Sequence, residues 1–146
     1  MVRRASRACL LVFLLAAAGG CGALSKRDYI ERANAICRRM NAQEARLDAI
    51  DALHDVRSYA RTGASVVTLD QRSRERLGRL RAPNELKDRM RSFLVALDRR
   101  LERQRRAVNA ARRGDVATVV AMKFEREPPA ERQAAARIGL TACGRR

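Results

Sequence analysis

The four cysteines carry the most reactive side chains of this 146-residue chain. Cys9 lies inside an N-terminal apolar run, Cys21 directly follows two glycines, and the remaining two are Cys37 and Cys143. Depending on its surroundings, a cysteine can attack an electrophile, accept a lipid group, bind a metal or form a disulfide. The sequence around each cysteine therefore decides which of these reactions is favoured.

The first twenty residues have the pattern of an export signal. Residues 1–7 contain three arginines and no acid, residues 8–18 are uninterrupted apolar, and Gly19 and Gly20 follow. A positive start, a short apolar run and small residues at its end are typical of a signal that is removed. With Cys21 next, the segment resembles the bacterial lipoprotein signal, in which that thiol takes a diacylglyceryl group. Ala18 stands where that signal usually has leucine.

This resemblance implies a lipoprotein signal peptide over 1–20, a lipid-anchored tether over 21–25 and a helical domain over 26–146. We then expect the domain on the outer face of the cytoplasmic membrane. A plain secretory signal is the alternative, and it would leave Cys21 as a structural thiol on a secreted protein. A permanent membrane helix needs about 20 apolar residues, and this run is shorter.

Cys37 and Cys143 are an even pair once Cys9 is removed with the signal and Cys21 carries lipid. Disulfides persist in oxidising compartments outside the cytoplasm. We therefore expect a Cys37–Cys143 disulfide that connects the first helix to the C-terminal residues. Two separate buried thiols are the alternative.

The composition and the spacing of apolar residues predict an all-α fold. Trp is absent, Phe and Tyr are few, and aliphatic residues recur at three- and four-residue intervals, as on amphipathic helices. The first stripe includes Tyr29, Met40 and Gln43, while the second includes two polar residues, Asp70 and Ser73. Gly63 marks either a kink or a close helix contact. Four helices joined by short turns indicate an antiparallel up-down four-helix bundle.

Capping residues and breakers predict where the helices begin and end. Ser25, Asp55, Asn84 and Asp115 are candidate N-caps. Pro83 ends the second helix, while Gly114 and Gly139 end the third and fourth. Pro128-Pro129 breaks the last helix, which resumes at Pro129 and continues to about Ile138.

Four short segments give the chain a resemblance to a family. They are Asp28-Tyr29-Ile30 with Ala33, Ala35, Ile36 and Cys37; Leu80–Pro83; Ala110–Asp115; and Gly139–Gly144. Together they resemble uncharacterised small exported helical proteins of high-GC Gram-positive bacteria, many with lipoprotein signals. The resemblance implies paired cysteines and an all-helical domain, and it transfers no catalytic residue. Pro128-Pro129 departs from the family pattern.

The remaining candidates for chemistry are the single histidine, His54, and the acids near it. With helical spacing, Glu44, Asp48, Asp51 and Asp55 would form an acidic stripe. No calcium-loop pattern accompanies them, so we expect them to pair with arginines on neighbouring helices and expect no metal site. No nucleophile–base motif or phosphate loop occurs. We therefore expect neither a cofactor nor an enzyme.

The strongest remaining feature is the positive charge. The formal net charge is +16, and removal of three signal arginines leaves +13. The candidate anion contacts around the third helix are Arg99, Arg100, Arg103, Arg105, Arg106, Arg112 and Arg113. They indicate either an ordinary solvated helix surface or contact with anionic lipid or cell-wall polymer.

Nucleic acid and another exported protein are the two other classes of partner. Nucleic acid is not expected, because the compartment is wrong and the chain has few aromatic residues on which bases could stack. The alternative function is a helical module that docks another exported protein. An exposed apolar patch on the folded domain would favour that alternative.

Overall fold

The computed structural model describes residues 24–51, 55–124 and 130–144, and all regular structure in these ranges is helical. The all-α prediction is therefore confirmed for this part of the chain. Residues 1–20, which include the predicted signal, lie outside the described residues, as do Cys21, His54 and Pro128-Pro129. The helices are α1 (Lys26–Asp51), α2 (Val56–Arg79), α3 (Lys87–Arg112), α4 (Val116–Phe124) and α5 (Ala130–Ile138), with a 3-10 turn at Asn84–Leu86.

Three of the four predicted N-caps make the expected hydrogen bonds. Ser25 Oγ accepts from the backbone N–H of Asp28 at 3.1 Å. Asp55 Oδ1 accepts from Ser58 at 2.6 Å, and Asp115 Oδ1 accepts from Thr118 at 3.0 Å. Each carboxylate or hydroxyl thus satisfies an N–H that the first helical turn leaves unpaired.

The prediction that Asn84 caps the third helix was wrong. Asn84 begins a one-turn 3-10 helix instead, in which Leu86 donates its backbone N–H to Pro83 at 2.9 Å. This tighter turn moves the start of α3 to Lys87 and places Leu86 in the core, where it is fully buried.

The two acidic caps predict a specific response to pH. The hydrogen bond from Ser58 lowers the pKa of Asp55, and those from Thr118 lower the pKa of Asp115. Because both pKa values are lowered on folding, the stabilisation is complete above about pH 4 and is lost as pH falls through the folded values. Asp55→Asn/Asp115→Asn keeps the accepting oxygen without the charge. Its stability should therefore match wild type below the folded pKa values, fall behind as pH rises through them, and differ by a constant amount above about pH 4. Urea unfolding between pH 2 and 7 measures this, and a constant difference across that range would contradict it.

The two long helices α2 and α3 lie antiparallel. Asp70 contacts Arg100, and Arg74 contacts Asp98. The residue numbers thus rise along α2 as those of their partners fall along α3. Arg74 Nε and Nη2 each donate to a separate Asp98 oxygen at 2.7 Å. This hydrogen-bonded carboxylate raises the pKa of Arg74. α1 packs on α2, while α4 and α5 both pack on α3, so α3 has the most helical neighbours among the described elements.

Gly63 lies where α2 and α3 approach closely. A Cβ built there would lie 2.9 Å from Val108 Cγ2, which is inside van der Waals contact. Of the two interpretations that the sequence left open, the close helix contact is therefore the one observed.

Gly63→Ala is expected to destabilise the domain by about 1 kcal/mol, although alanine is the better helix former. The propensity gain is about 1 kcal/mol, whereas overpacking a helix contact costs about 1 to 3 kcal/mol. Urea unfolding of four proteins measures the effect: wild type, Gly63→Ala, Val108→Ala and the double variant. The Gly63→Ala change should become stabilising in the Val108→Ala background, and an equal effect in both backgrounds would contradict the contact.

The apolar core has two parts. The larger part surrounds Phe93 and Tyr29, which are both fully buried, and includes residues from α1, α2, α3, α5 and the C-terminal turn. The smaller part joins Ala60, Ala110, Ala111 and Val119 near the other end of α3. Alanines dominate this second part, so α2, α3 and α4 approach closely there.

The C-terminal turn folds back onto α1, as predicted. Gly139 ends α5 with φ of +89°, a conformation that glycine adopts without strain. The Cys37–Cys143 disulfide is formed across 106 residues. Asn34 accepts from the backbone N–H of Ala142 at 2.9 Å, and Asn41 donates to its carbonyl at 2.9 Å. Three contacts thus fix these residues to one face of α1.

Candidate functional site

A cluster of buried charged side chains lies between four helices, with Arg100 at its centre. Arg100 Nη2 lies 3.1 Å from Asp70 Oδ2 and 3.8 Å from Glu44 Oε1. Arg100 Nη1 donates to Glu131 Oε1 at 3.2 Å. Gln104 also donates to Asp70 Oδ2, at 2.9 Å. One guanidinium therefore connects α1, α2 and α5 to α3; we call these five residues the Arg100 cluster.

Each member of the Arg100 cluster occupies the buried face of its own helix. On α1, Cys37, Met40 and Glu44 follow one another at three- and four-residue intervals, and all three are buried. On α3, Arg100 follows Phe93 and Leu97 in the same way. Helical periodicity, which normally directs apolar side chains inward, here directs the charged groups to one point.

Only part of this cluster could be predicted from the sequence. The buried stripe predicted for the second helix included Asp70, and Asp70 is buried there. Glu44 was assigned to an acidic stripe that pairs with arginines, and its contact with Arg100 confirms that pairing. On α1, however, Glu44 takes the buried position predicted for Gln43, which is exposed. Glu131 was not singled out, although its spacing from Ala135 and Ile138 is helical and all three are buried.

The assignment of Arg100 to an anion-binding surface needs correction. Its exposed fraction is 5%, and carboxylates of this chain surround its guanidinium. An external anion has no access to it. The physical reason is that Arg100 follows Leu97 at a three-residue interval and so lies on the buried face of α3, whereas its neighbour Arg99 points to solvent.

The Arg100 cluster has the geometry of a structural ion network. Three carboxylates face one guanidinium, and the side chains of Glu44, Asp70 and Glu131 are each at most 10% exposed. The adjoining cavity, lined in part by Met40 and Phe93, has a volume of about 10 Å³, at the limit of what a single water needs. Carboxylate catalysis requires a substrate beside the acids, and this cavity has no room for one.

Five of the other six predicted anion contacts lie along α3, and Arg113 directly follows its last residue. Arg99, Arg105, Arg106, Arg112 and Arg113 are exposed, and Arg103 is half-buried. Arg105 Nη2 donates to Gln71 on α2 at 2.8 Å. Asp98 and Glu102 line the same shallow groove as Arg99, Arg103 and Arg106. This face therefore has both acidic and basic residues near its middle, whereas its charged residues toward the end of α3 are all basic.

The acids near His54 do not form a described site. Glu44 belongs to the Arg100 cluster, and Asp55 caps α2. His54 and the side chains of Asp48 and Asp51 lie outside the described residues. In the described part of the chain, no group of three His, Cys, Asp or Glu side chains is placed to hold a metal ion.

Three large apolar side chains are exposed on the described surface. Val116 and Val120 lie one turn apart on α4, with exposed fractions of 52% and 45%, and Val95 lies on α3. The α4 pair is adjacent on one helix face, so it forms a small apolar patch at the end of the domain far from Lys26.

Within residues 24–51, 55–124 and 130–144, no helix combines the length and the apolar character needed to cross a membrane.

Comparison with known proteins gives no match: no family model fits the sequence, and no curated protein or solved structure is significantly similar to it.

Proposed function

We propose that this chain is an exported lipoprotein whose helical domain is anchored through Cys21 to the outer face of the cytoplasmic membrane. The observation that carries the proposal is the Cys37–Cys143 disulfide, because structural disulfides are rare in reducing cytosol and common outside it. The N-terminal residues agree with this location, because an arginine-rich start, an apolar run and small residues before Cys21 are typical of an export signal.

The domain's role in this proposal is binding or structural, and not enzymatic. The charge distribution supports contact with anionic lipid or cell-wall polymer. The Arg100 cluster buries three acids but only one arginine. Without these four residues, the chain after residue 20 has 28 basic and 13 acidic residues, which is a formal net charge of +15. A surface of this charge attracts polyanions over long range.

We further propose that α4 and α5 together occupy the place of the fourth helix in an antiparallel up-down bundle, interrupted at Pro128-Pro129. The packing of both short helices on α3 supports this arrangement. The opposite directions of α2 and α3 and the short connections between successive helices are typical of such bundles.

Cell fractionation of cysteine variants tests the lipid anchor. In a host that processes lipoprotein signals, wild-type protein should remain in membranes after a 1 M salt wash, which removes electrostatic binding. Cys21→Ser should appear in the salt wash or the medium. Cys9→Ser is the matched control, because Cys9 leaves with the signal, and it should behave like wild type. Salt-resistant membrane retention of Cys21→Ser after its residues 1–20 have been cleaved would remove the proposal, because the apolar run 8–18 can then no longer hold it there.

Docking of another exported protein is the second candidate function, and the exposed Val116–Val120 pair favours it. Val120→Asp should then weaken capture of a cross-linked partner at the cell surface, whereas Val95→Asp, an equally exposed valine on α3, should not. Equal cross-linking patterns for wild type and both variants would exclude this patch as the interface.

A further inference from the structure

The position of the tether determines which basic residues lie nearest the membrane. Only four residues separate Cys21 from Lys26 at the start of α1. Five extended residue steps span at most about 18 Å. The lipid attachment point in the proposed anchor therefore lies within this distance of the end of the domain that contains Lys26.

Several contacts show which other segments lie at that end. Lys26 Nζ lies 3.8 Å from Glu85 Oε1, which places the turn before α3 beside the start of α1. A Cβ built at Gly139 would lie 3.6 Å from Ile30 Cδ1, so the end of α5 is also there. Arg89 donates to the carbonyl of Arg137 at 3.2 Å and connects α3 to the end of α5.

These segments form an exposed basic surface. Its exposed cations are Lys26, Arg27, Arg81, Lys87, Arg89 and Arg137, and we call them the anchored-end residues. Four acids lie on the same segments. Glu85 lies beside Lys26, Asp88 lies 3.1 Å from Arg91, and Asp28 and Glu31 lie within about one turn of Arg27 on α1. The six cations outnumber these four acids. The anchored-end residues thus present an excess of positive charge close to the attachment point.

The arginines farther along α3 are much more distant. At 1.5 Å per residue, Arg99, Arg106 and Arg113 lie about 18, 29 and 39 Å along the helix axis from Lys87. Electrostatic attraction in physiological salt decays over about 8 Å. With the helices directed away from the membrane, these arginines are beyond the reach of the headgroups.

We infer that the anchored-end residues bind anionic phospholipid headgroups and direct the helices away from the membrane, leaving the exposed α3 arginines in solvent. This inference rests on the proposed lipid anchor. It differs from the sequence-based expectation, which placed the anion contact on α3. It commits to membrane lipid as the partner of this surface, and cell-wall polymer becomes an outcome of the test.

Arginine footprinting of the full lipidated protein tests the inference. The protein is reconstituted in vesicles of neutral phosphatidylcholine, with or without 30% phosphatidylglycerol, and modified with phenylglyoxal before mass spectrometry. In anionic vesicles, Arg81 and Arg89 should react at least about fivefold more slowly than in neutral ones, and 0.5 M salt should abolish the difference. Arg99, Arg106 and Arg113 should react equally in both.

Two variants with the same change in charge serve as matched tests. Arg27→Gln/Arg81→Gln/Lys87→Gln should lose the protection of Arg89, whereas Arg99→Gln/Arg106→Gln/Arg113→Gln should retain it. Protection confined to the α3 arginines, or no protection anywhere, would overturn the inference. So would protection by purified cell walls of the host but not by vesicles.

The same samples separate failure of this inference from failure of the proposed anchor. The mass of the N-terminal peptide reports whether Cys21 carries lipid before any footprint is read. If the peptide carries lipid and the anchored-end residues react equally in both kinds of vesicle, the orientation is wrong and the anchor stands. If Cys21 carries no lipid, the proposed function itself fails, and the inference fails with it.

Discussion

Cys37→Ala/Cys143→Ala is expected to lower the free energy of unfolding by about 4 to 5 kcal/mol. The disulfide closes a loop across 106 residues, and the chain-entropy model assigns about 4.7 kcal/mol to a loop of about 100 residues. Both cysteines are at least 95% buried, so alanine is a better replacement than serine, whose hydroxyl would need a partner. A loss of this size is a large share of the stability of a typical domain.

Urea unfolding of the oxidised and reduced protein measures the contribution of the disulfide. Reduction of wild type should produce most of the same loss, and the single variant Cys143→Ala should resemble the double variant because one cysteine cannot form the bond. The Asn34 and Asn41 hydrogen bonds keep the C-terminal turn on α1 in the native state. Equal unfolding midpoints with and without reductant would show that the bond contributes nothing to stability.

Arg100→Met is expected to cost about 3 to 5 kcal/mol. The substitution removes the guanidinium that bridges Glu44, Asp70 and Glu131 and leaves three carboxylates in a site that is closed to solvent. Removing one partner from a buried ion network leaves uncompensated charge. The free energy of unfolding therefore falls by more than it does for most substitutions. Methionine retains much of the volume, so the loss reports on charge more than on packing.

The neighbouring residue supplies the control for Arg100. Arg99→Met makes the same chemical change one position earlier, on the exposed face of α3, and should alter stability by less than about 0.5 kcal/mol. A variant that replaces all four charged members, Arg100→Met/Glu44→Gln/Asp70→Asn/Glu131→Gln, should recover part of the loss because the cluster then carries no charge. Equal unfolding curves for Arg99→Met and Arg100→Met would contradict the buried network.

Local features of the fold could be predicted from the sequence because local chemistry determines them. Ser25, Asp55 and Asp115 begin helices because their side chains accept from unpaired N–H groups, and Gly114 and Gly139 end helices with positive φ. The disulfide could be predicted because the pattern of residues 1–21 led us to expect an oxidising compartment, in which two cysteines form a disulfide.

Features that depend on contacts between helices were less accessible. Arg100 is one arginine among many, and nothing nearby in sequence indicates that Glu44, Asp70 and Glu131 meet it. The interval from Leu97 to Arg100 is the one signal that could have separated it from Arg99. The distance from Lys26 to the α3 arginines likewise needs the packed structure, because a linear sequence gives no position relative to an anchor.

The intact mass of protein extracted from membranes tests export, lipidation and the disulfide in one measurement. The predicted mass is that of residues 21–146 plus the acyl groups on Cys21, minus the two hydrogens lost when Cys37 and Cys143 join. A mass that includes residues 1–20, with no lipid and with all four thiols free, would contradict both the proposed location and the proposed anchor.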